Sequence, residues 1–594
     1  MKINRGRFSR VTRIFSLLKP YRGMVVLITV LQAIILGTRM VGPYVNQVLV
    51  DDVIGRGQTQ KLWWVLGAFM GLAVLRAGLF CWRATACEVM GQGATVNLKV
   101  SLYRHLQRLS FSFYDEHRIG EIMSRMTGDI DGVRHMITVG WLQVLELCAY
   151  FIGATVIMMF ISWKLTLLIL AVMPFLAVLA YRYDKKIGPV YADIREQNAH
   201  LNTRVQENLA GVRVVKAYAR EDYEVERFDK ENNEVLHQGL RAVKQWVRFN
   251  PIIDFLSSLP TVILYGFGAL FVLSSKQPLS IGELVAMNGY LWMISEPLRQ
   301  ISFIVNMVQQ SLTSSEKVFY YLDMGSTVRE KEDAKAPEQY TGHVQFDHVR
   351  FRYGDNVVLD DVSFDVPPGN TLAIMGATGT GKSTIVSLIP RFYDCFEGAV
   401  RVDGIDVKDH KLQELRRQVG LVMQDTFLFS DSLAENIAFG RPDAPQSDVE
   451  RAADVAQGAE FIANMADGYE AQVGERGLGL SGGQKQRVSI ARALACDPKI
   501  LILDDSTSAV DMETEYAIQQ GLAAPEYAGL TKIIIAHRIS SVKDANEIIV
   551  LDDGGKIAER GTHAQLLAAG GLYTQMFHDQ YRDYAQMKGG AAHG

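Results

Sequence analysis

Two short stretches combine residue types and spacings that suit phosphate chemistry. The first, TLAIMGATGTGKST at 371–384, runs from an apolar strand through a glycine-rich loop to a helix start and fits G-x-x-x-x-G-K-[ST]. Glycines let backbone N–H groups close around phosphate oxygens at a helix amino terminus, where the dipole favours negative charge. The sequence therefore predicts a nucleotide site with these residues: Gly376, Ala377, Thr378, Gly379, Thr380, Gly381, Lys382, Ser383 and Thr384.

The second stretch, LILDDSTSAVD at 501–511, is an apolar run that ends in two aspartates. We expect Asp504 to lie on the magnesium side of the phosphates, opposite the Ser383 hydroxyl, while Lys382 supplies charge to the β- and γ-phosphates. A helix N-cap is the alternative role for Asp504, and the upstream phosphate loop makes it the weaker one. ATP and Mg²⁺ are the predicted cofactors.

The secondary-structure elements that hold these residues alternate in a regular order. Short β-branched strands alternate with helical stretches and are punctuated by Gly and Asp, which predicts an α/β P-loop ATPase domain with a mainly parallel sheet. We place this domain at 342–582, after a charged linker at 321–341 and before a flexible tail at 583–594.

The amino-terminal part has a different composition. Six stretches approach or exceed the ~20 apolar residues that cross a bilayer as a helix. They predict an all-α transmembrane domain of six long helices at 1–320, with membrane lipid as a partner. The stretches are 24–42, 62–82, 140–161, 164–182, 253–274 and 282–307.

Basic residues precede the first apolar stretch, with no acidic residue among them. Under the positive-inside rule they keep the amino terminus in the cytoplasm, and an even number of spans returns the ATPase domain there. We therefore expect a multi-pass protein of the cell membrane, inner or plasma. A cleaved signal peptide is the alternative, but the apolar run is long and is followed by five more. The basic residues are Lys2, Arg5, Arg7, Arg10, Arg13, Lys19 and Arg22.

The totals argue against several other classes. A net charge of −4 gives no reason to expect nucleic acid as a partner. Five cysteines show neither the paired spacing of a zinc site nor the density of a disulfide framework. Within the spans, Glu146 and Arg39 stand out, because a charge in the bilayer is expensive and tends to face a cavity or a partner. We predict that Glu146 contacts substrate.

Taken together, the motifs resemble those of an ABC exporter half-transporter, and the most specific of them is LSGGQKQR at 480–487. The resemblance implies head-to-tail dimerisation, in which Ser481, Gly482, Gly483 and Gln484 act on the ATP of the partner chain. It also implies roles for single residues. Tyr353 would stack on adenine, Gln424 would sense Mg²⁺ as a ligand beside Ser383 and Asp504, and His537 would lie beside the γ-phosphate.

The same resemblance implies how nucleotide chemistry reaches the membrane. Two breaks in the long helical segments, around 113–115 and 209–212, look like coupling helices, and VGERG at 473–477 looks like the segment that touches such turns. The coupling residues implied are Phe113, Tyr114, Asp115 and Glu475. Residues 509–511 correspond to the D-loop.

One position departs from the family pattern. The residue after the Walker B aspartate is usually Glu, the general base, whereas here it is Asp505. The two acids differ by only ~0.4 units in reference pKa, worth about half a kcal/mol. A missing methylene withdraws the carboxylate by more than ~1 Å, and a shift of that size can cost on the order of a hundredfold in rate. We therefore predict a catalytic site with a weakened base, formed by Asp505 with His537 and Gln424.

An intact signature beside a weakened base resembles one subunit of the heterodimeric bacterial multidrug exporters. This implies a second, non-identical ABC half-transporter that supplies the catalytic Glu, and ATP-driven export of hydrophobic or amphipathic small molecules. The alternatives are a homodimer with two slow sites, an exporter of lipid or peptide, and a regulatory membrane protein that ATP switches without transport.

Overall fold

The computed structural model describes residues 11–273, 279–507 and 509–580, without the side chains of 296–302. The chain divides into two compact units. The first is Met1–Gln107 with Ile119–Met324, and the second is Arg108–Arg118 with Gly325–Gly594. The predicted tail at 583–594 and the first four basic residues of the amino terminus lie outside the described residues.

The first unit is helical, and its segments are longer than those of a typical globular domain. Its helices, together with α3 of the second unit, are α1 (Arg22–Val48), α2 (Lys61–Leu106), α3 (Phe111–Glu116), α4 (Ile119–Ser124), α5 (Ile130–His135), α6 (Trp141–Leu170), α7 (Met173–Ala210), α8 (Val212–Ala217), α9 (Glu221–Val272) and α10 (Ile281–Asp323). Short π-helical turns at Arg125–Asp129 and Met136–Gly140 join α4, α5 and α6 into one stretch.

Four helical stretches of the described residues are long and apolar enough to cross a membrane: Lys19–Gly55, Lys61–Leu106, Ile119–Leu170 and Glu221–Val272. They coincide with the first, second, third and fifth predicted spans. The fourth predicted span, 164–182, is divided between the end of α6 and the start of α7, and the sixth, 282–307, lies in α10. As membrane spans, these two stay predictions.

The link between the third and fourth predicted spans is a single residue with extended geometry. Ser162 has φ −153° and ψ 99° inside α6. It belongs to the short SWK segment that separates the two apolar runs. A non-helical residue there ends the i to i−4 ladder, which allows the chain to change direction at the predicted place.

The first unit buries a core between α6, α9 and α10, in which Leu165, Leu264 and Met287 are fully enclosed. Large apolar side chains on α2, among them Trp64 and Val74, remain exposed. On a soluble protein such a surface would be a liability. Lipid tails are as apolar as these side chains, so the same surface suits a bilayer.

The second unit contains two sheets. A four-stranded sheet has the order β2-β1-β4-β5, and its three ladders are antiparallel. A six-stranded sheet has the order β10-β9-β3-β8-β7-β6, in which all neighbours are parallel except β10 and β9. The strands are β1 (Val344–Tyr353), β2 (Asn356–Val366), β3 (Thr371–Gly376), β4 (Glu397–Val402), β5 (Ile405–Asp406), β6 (Val419–Val422), β7 (Ile500–Asp504), β8 (Thr531–Ile535), β9 (Glu547–Leu551) and β10 (Ile557–Gly561).

Helices cover both faces of the six-stranded sheet's core, and all five residues of β7 are buried, as expected of an inner parallel strand. The predicted α/β class with a mainly parallel sheet is therefore confirmed. The helices are α11 (Lys382–Leu388), α12 (Leu412–Arg417), α13 (Leu433–Ala438), α14 (Gln446–Val455), α15 (Ala459–Ala463), α16 (Gly482–Ala495), α17 (Met512–Leu522) and α18 (His563–Ala569).

Candidate functional site

The order of strands in the large sheet brings the predicted catalytic residues to one edge. Strands β3, β8, β7 and β6 are adjacent and parallel, so their carboxyl ends lie side by side. Asp504 is the last residue of β7, His537 follows β8 by two residues, and Gln424 follows β6 by two. In open α/β sheets this edge is where ligands bind.

The loop after β3 has the backbone that phosphate binding needs. Gly376, Gly379 and Gly381 all have positive φ values, between 90° and 148°. A Cβ on Gly381 would lie 2.7 Å from a side-chain carbon of Leu359, so only glycine fits there. Of the other loop residues, Thr380 and Thr384 are buried, whereas Ala377, Thr378 and Gly379 are exposed.

Lys382 is buried at the start of α11, and its Nζ donates to the carbonyls of Gly376 at 2.9 Å and Ala377 at 2.7 Å. Burial lowers the pKa of Lys382, and the charges of Asp504 and Asp505 oppose that shift. The lysine is thus held at the mouth of the loop by neutral carbonyls. These residues fit a nucleotide, whose β- and γ-phosphates would accept from the same ammonium group.

Asp504 is buried, and burial raises its pKa, an effect that the hydrogen bond from the Ser383 side chain opposes. The carboxylate is therefore more costly to keep ionised than an ordinary aspartate. A divalent cation would offset that cost, because nearby positive charge favours the ionised form. The pairing of the Ser383 hydroxyl with Asp504 fits a Mg²⁺ site of the P-loop type.

Asp505 lies immediately beyond β7 with φ 47°, a left-handed conformation that Asp tolerates better than most residues. Its backbone N–H donates to the carbonyl of Ile535 on β8 at 2.9 Å. The start of the side chain is therefore fixed between two strands. His537 is exposed just beyond β8, and its electrostatic effect on Asp504 acts to lower the pKa of that carboxyl.

Gln424 is exposed. Among the described residues we find no hydrogen bond from Gln424 to Ser383 or Asp504. The structure therefore brings Lys382, Ser383, Asp504 and His537 together.

Tyr353 lies at the end of β1 with its ring partly exposed. It packs edge to face against Phe351 at 4.8 Å and Tyr393 at 5.4 Å, measured between ring centroids. These contacts fix the orientation of the Tyr353 ring and leave part of the ring accessible. An adenine base could stack on that surface.

Within the second unit, helix α3 packs against residues next to Tyr353. The Tyr393 hydroxyl donates to Asp115 at 2.8 Å, and Phe111 stacks on Phe392 at 4.2 Å. Burial raises the pKa of Tyr393, and the bond to Asp115 raises it further. One tyrosine thus touches both Tyr353 and a predicted coupling residue.

Two other predicted coupling residues, Phe113 and Tyr114, also lie in α3 and differ in burial. Phe113 is buried and stacks on His117 at 4.5 Å, while Tyr114 is partly exposed and packs edge to face on Phe113. Their ring contacts with each other and with His117 stabilise the turn of α3. Sequence reasoning missed Phe111 and Tyr393, because an aromatic residue in a loop has no local pattern that identifies its partner.

The signature residues begin α16. The Ser481 side chain accepts from the Gln484 N–H at 3.3 Å, and the Ser481 N–H donates to the Gln484 side chain at 2.8 Å. This capping box uses an acceptor position of the serine hydroxyl, so its hydrogen can still be donated. Gly482 and Gly483 lie against Ala509 of the D-loop, where a Cβ on Gly483 would be 3.0 Å from the Ala509 carbonyl oxygen.

Glu475 is exposed in a short turn before the signature. The turn is tied to α16, since Lys485 Nζ donates to the Arg476 carbonyl at 2.9 Å. Arg476 has φ 53°, and a Cβ on Gly477 would lie 2.8 Å from the Lys485 side chain. A displacement of the turn that contains Glu475 would therefore be transmitted to α16 through the Lys485 side chain.

In the first unit, Glu146 lines a cavity of about 730 Å³. Its carboxylate accepts from Arg39 at 2.9 Å and from Gln32 at 3.4 Å. Arg39 also donates to the Tyr150 hydroxyl at 2.6 Å. Arg76, which lines the same cavity, was missed, although an ionisable residue inside the predicted span 62–82 is itself a signal.

The predicted turn at 209–212 also lies in the first unit, where it leads into α8. Leu209, Val212 and Val214 are exposed apolar residues there.

Sequence comparisons define the class of protein. Residues 25–298 match the family model of the ABC transporter transmembrane region, and residues 359–508 match the ABC transporter family model. The chain belongs to the ABC transporter family and is an exporter-type half-transporter with an ATP-hydrolysing domain.

Particular relatives are similar over nearly the whole chain. An uncharacterized ABC transporter ATP-binding protein of Bacillus subtilis, YknU, is 38% identical over 567 residues, which cover 95% of this chain and 96% of the relative. A "Putative multidrug export ATP-binding/permease protein" of Staphylococcus aureus is 34% identical over 577 residues, covering 96% and 99%. The solved structure of a bacterial Atm1-family ABC exporter with ATP bound matches with a TM-score of 0.79 and 30% identity, covering 94% of this chain and 98% of that one.

Proposed function

We propose that the protein exports hydrophobic or amphipathic compounds, as one subunit of a heterodimer whose own Walker site binds ATP but hydrolyses it slowly. The observation that carries this proposal is Asp505 at the position of the usual glutamate, beside an otherwise complete phosphate loop. The name of the Staphylococcus aureus relative supports the drug-export part.

The fixed backbone of Asp505 supports the inference that its carboxylate extends less far than that of a glutamate at the same position. Its N–H is bonded to Ile535, and the preceding residue, Asp504, pairs with Ile535 in the ladder between β7 and β8. The main chain cannot advance to replace the missing methylene without breaking that bond. A well-placed general base is worth roughly 10²–10⁴-fold, so a large part of that factor is lost here.

ATP binding is separate from this loss. The glycine loop, Lys382, Ser383 and Asp504 are all in place, and none of them depends on the length of the Asp505 side chain. When bound, ATP and Mg²⁺ supply the phosphoryl group and its charge-neutralising cation. Lys382 and the loop N–H groups hold the phosphates, while Ser383 and Asp504 hold the cation.

The intact signature supports an unequal partner. Ser481 keeps a hydroxyl hydrogen to donate, and the amino terminus of α16 favours a phosphate. In a head-to-tail dimer these groups serve the other chain's nucleotide. We therefore infer that the second half-transporter supplies a catalytic Glu opposite Ser481, and that turnover occurs there. The assembly would lie in the cell membrane with both ATPase domains and this amino terminus in the cytoplasm.

The test is purification of the full-length chain alone and in the assembly isolated from its native membrane, followed by analysis of subunit composition and ATPase rate. We expect a second ABC chain in the assembly and slow hydrolysis by this chain alone. Asp505→Ala should leave turnover of the assembly within about twofold, since the stronger base belongs to the partner.

Asp505→Glu is the companion variant. It restores the missing reach and should raise hydrolysis at this site if the facing signature is competent. Its thermal stability must be measured too, because glutamate is less suited than aspartate to the left-handed backbone. A homodimer whose turnover disappears with Asp505→Ala would contradict the proposal.

A further inference from the structure

We propose that the cavity of the first unit binds an amphipathic organic anion, a compound with an apolar body and a carboxylate, sulfonate or phosphate group. This rests on the proposed export function, whose cargo class it names. A volume of about 730 Å³ suits a drug-sized molecule. Phe69, Leu72, Trp292 and Met293 form its apolar side.

Arg39 and Arg76 also line the cavity, and both belong to a polar seam between two helices. Gln32 and Arg39 lie seven residues apart on α1, and Arg76 and Arg83 lie seven apart on α2, so each pair occupies one helix face. Arg83 donates to the Gln32 side chain, and Arg76 donates to the Thr38 carbonyl at 3.2 Å. The seam therefore carries three guanidinium groups.

Among the described residues that line the cavity, Glu146 is the only carboxylate, beside the two guanidinium groups of Arg39 and Arg76. Glu146 accepts from Arg39 at 2.9 Å and from Gln32 at 3.4 Å. This ion pair neutralises Arg39. The carboxylate is already occupied by two donors, so a cationic ligand would have to displace Arg39 to reach it.

Arg76 and Arg83 are left with neutral partners. No carboxylate lies within ion-pair distance of either guanidinium in the described part of the chain, and the Nε of each is buried without an acceptor. Arg76 lies about 22 Å along the helix axis from Lys61, well inside the predicted span. Uncompensated charge at such depth is costly, and an anionic ligand relieves that cost.

The apolar side and the surplus positive charge face the same space. A neutral apolar compound would contact only the apolar side, and the surplus positive charge would repel a hydrophobic cation. An amphipathic anion satisfies both, because its charged group can accept from the guanidinium donors while its apolar part contacts Trp292 and Phe69.

Two naphthalene probes with the same apolar body separate these cases. 8-Anilino-1-naphthalenesulfonate is anionic, and N-phenyl-1-naphthylamine is its neutral counterpart; ethidium serves as the cation. Binding is measured with the purified assembly in lipid nanodiscs without ATP, and accumulation is measured with ATP in inside-out vesicles. We expect the sulfonate to bind more tightly than the amine and to be accumulated.

Variants assign the effect to the seam. Arg76→Gln should weaken sulfonate binding about tenfold or more, the scale of one lost charge-assisted hydrogen bond, and leave amine binding within about twofold. Arg76→Lys keeps the charge and should recover most of the affinity. Arg104→Gln, the same change at an exposed position of α2, is the control and should alter neither. Glu146→Gln frees Arg39 and should strengthen sulfonate binding.

The outcomes distinguish the two proposals. Accumulation of the amine or ethidium without preferential sulfonate binding leaves export standing and overturns the anion site. Sulfonate binding that depends on Arg76, without accumulation of any probe, supports the site and contradicts export. Loss of ethidium binding in Glu146→Gln, with sulfonate binding unchanged in every variant, would mean that the cavity is a cation site.

Discussion

The chain carries the two predicted halves of an ATP site, and the residues of these two regions differ in how fully they match the family pattern. At the carboxyl edge of the large sheet, the loop glycines, Lys382 and Asp504 are arranged for binding, but Asp505 is short by one methylene. At the start of α16, Ser481 and its capping box are complete. Binding depends on backbone shape at several residues, whereas hydrolysis depends on the reach of one side chain. A single substitution can therefore separate the two without disturbing the fold.

The largest effect should come from the complete half. Ser481→Ala removes a hydroxyl donor and is expected to lower ATP turnover of the assembly about a hundredfold, as for other single donors to a developing charge. Thr562→Ala is the matched control, because Thr562 caps α18 with the same Thr/Ser and Gln arrangement. Both changes should cost about 1 kcal/mol of stability. Equal loss of ATPase activity in both variants would reduce the role of Ser481 to capping.

The half of the site that contains the phosphate loop and Asp505 should still bind ATP. Lys382→Ala is expected to weaken ATP binding by the purified full-length chain about 10- to 100-fold, the value of a hydrogen bond to a charged group. A fluorescent ATP analogue measures this affinity, and Lys411→Ala, an exposed lysine of the same unit, is the control. Unchanged affinity in Lys382→Ala would show that the phosphate loop is not used.

A smaller effect should appear at Tyr393, which joins the predicted base-stacking residue Tyr353 to α3. Tyr393→Phe removes the hydroxyl bond to Asp115 and keeps the ring against Tyr353 and Phe111. We expect the stimulation of ATPase by substrate to fall severalfold, while ATP affinity changes less than about twofold. Tyr340→Phe, a tyrosine bonded to His410 instead, should leave both unchanged.

The smallest effect is the pH dependence of stability, which has opposite signs for Asp504 and Asp511. Burial raises the folded-state pKa of Asp504, so its ionised form costs stability above that pKa and the cost fades as pH falls below it. Asp504→Asn should therefore raise the melting temperature by a few degrees at pH 7 without Mg²⁺, and the gain should shrink in acid.

Asp511 is the control with the reverse sign. Hydrogen bonds from Thr514 lower its folded-state pKa, so its ionised form adds stability above the unfolded pKa, and that stability is lost as pH falls through the folded pKa. Asp511→Asn should lower the melting temperature slightly at pH 7. The same sign in both variants would contradict a buried, costly Asp504.

Local patterns were enough for much of the fold. The apolar runs predicted a helical membrane domain, the strand-loop-helix order at 371–384 predicted a P-loop, and the SWK break predicted the change of direction at Ser162. Each depends on residues close together in sequence, so periodicity and glycine placement reveal it. Among the described residues, four of the six predicted spans lie in helices long and apolar enough to cross a membrane, while the fourth predicted span is divided between α6 and α7.

The sequence by itself determined the family and predicted the phosphate loop and the short base at Asp505, because each depends on consecutive residues. Only the tertiary structure decided that Tyr393 joins Tyr353 to Asp115, and that Glu146 pairs with Arg39 while no carboxylate of the described residues pairs with Arg76 or Arg83. The partners in these contacts lie 40 to 278 positions apart, or on different helices. No local period encodes which of many possible partners a side chain meets, since packing of the whole unit makes that choice.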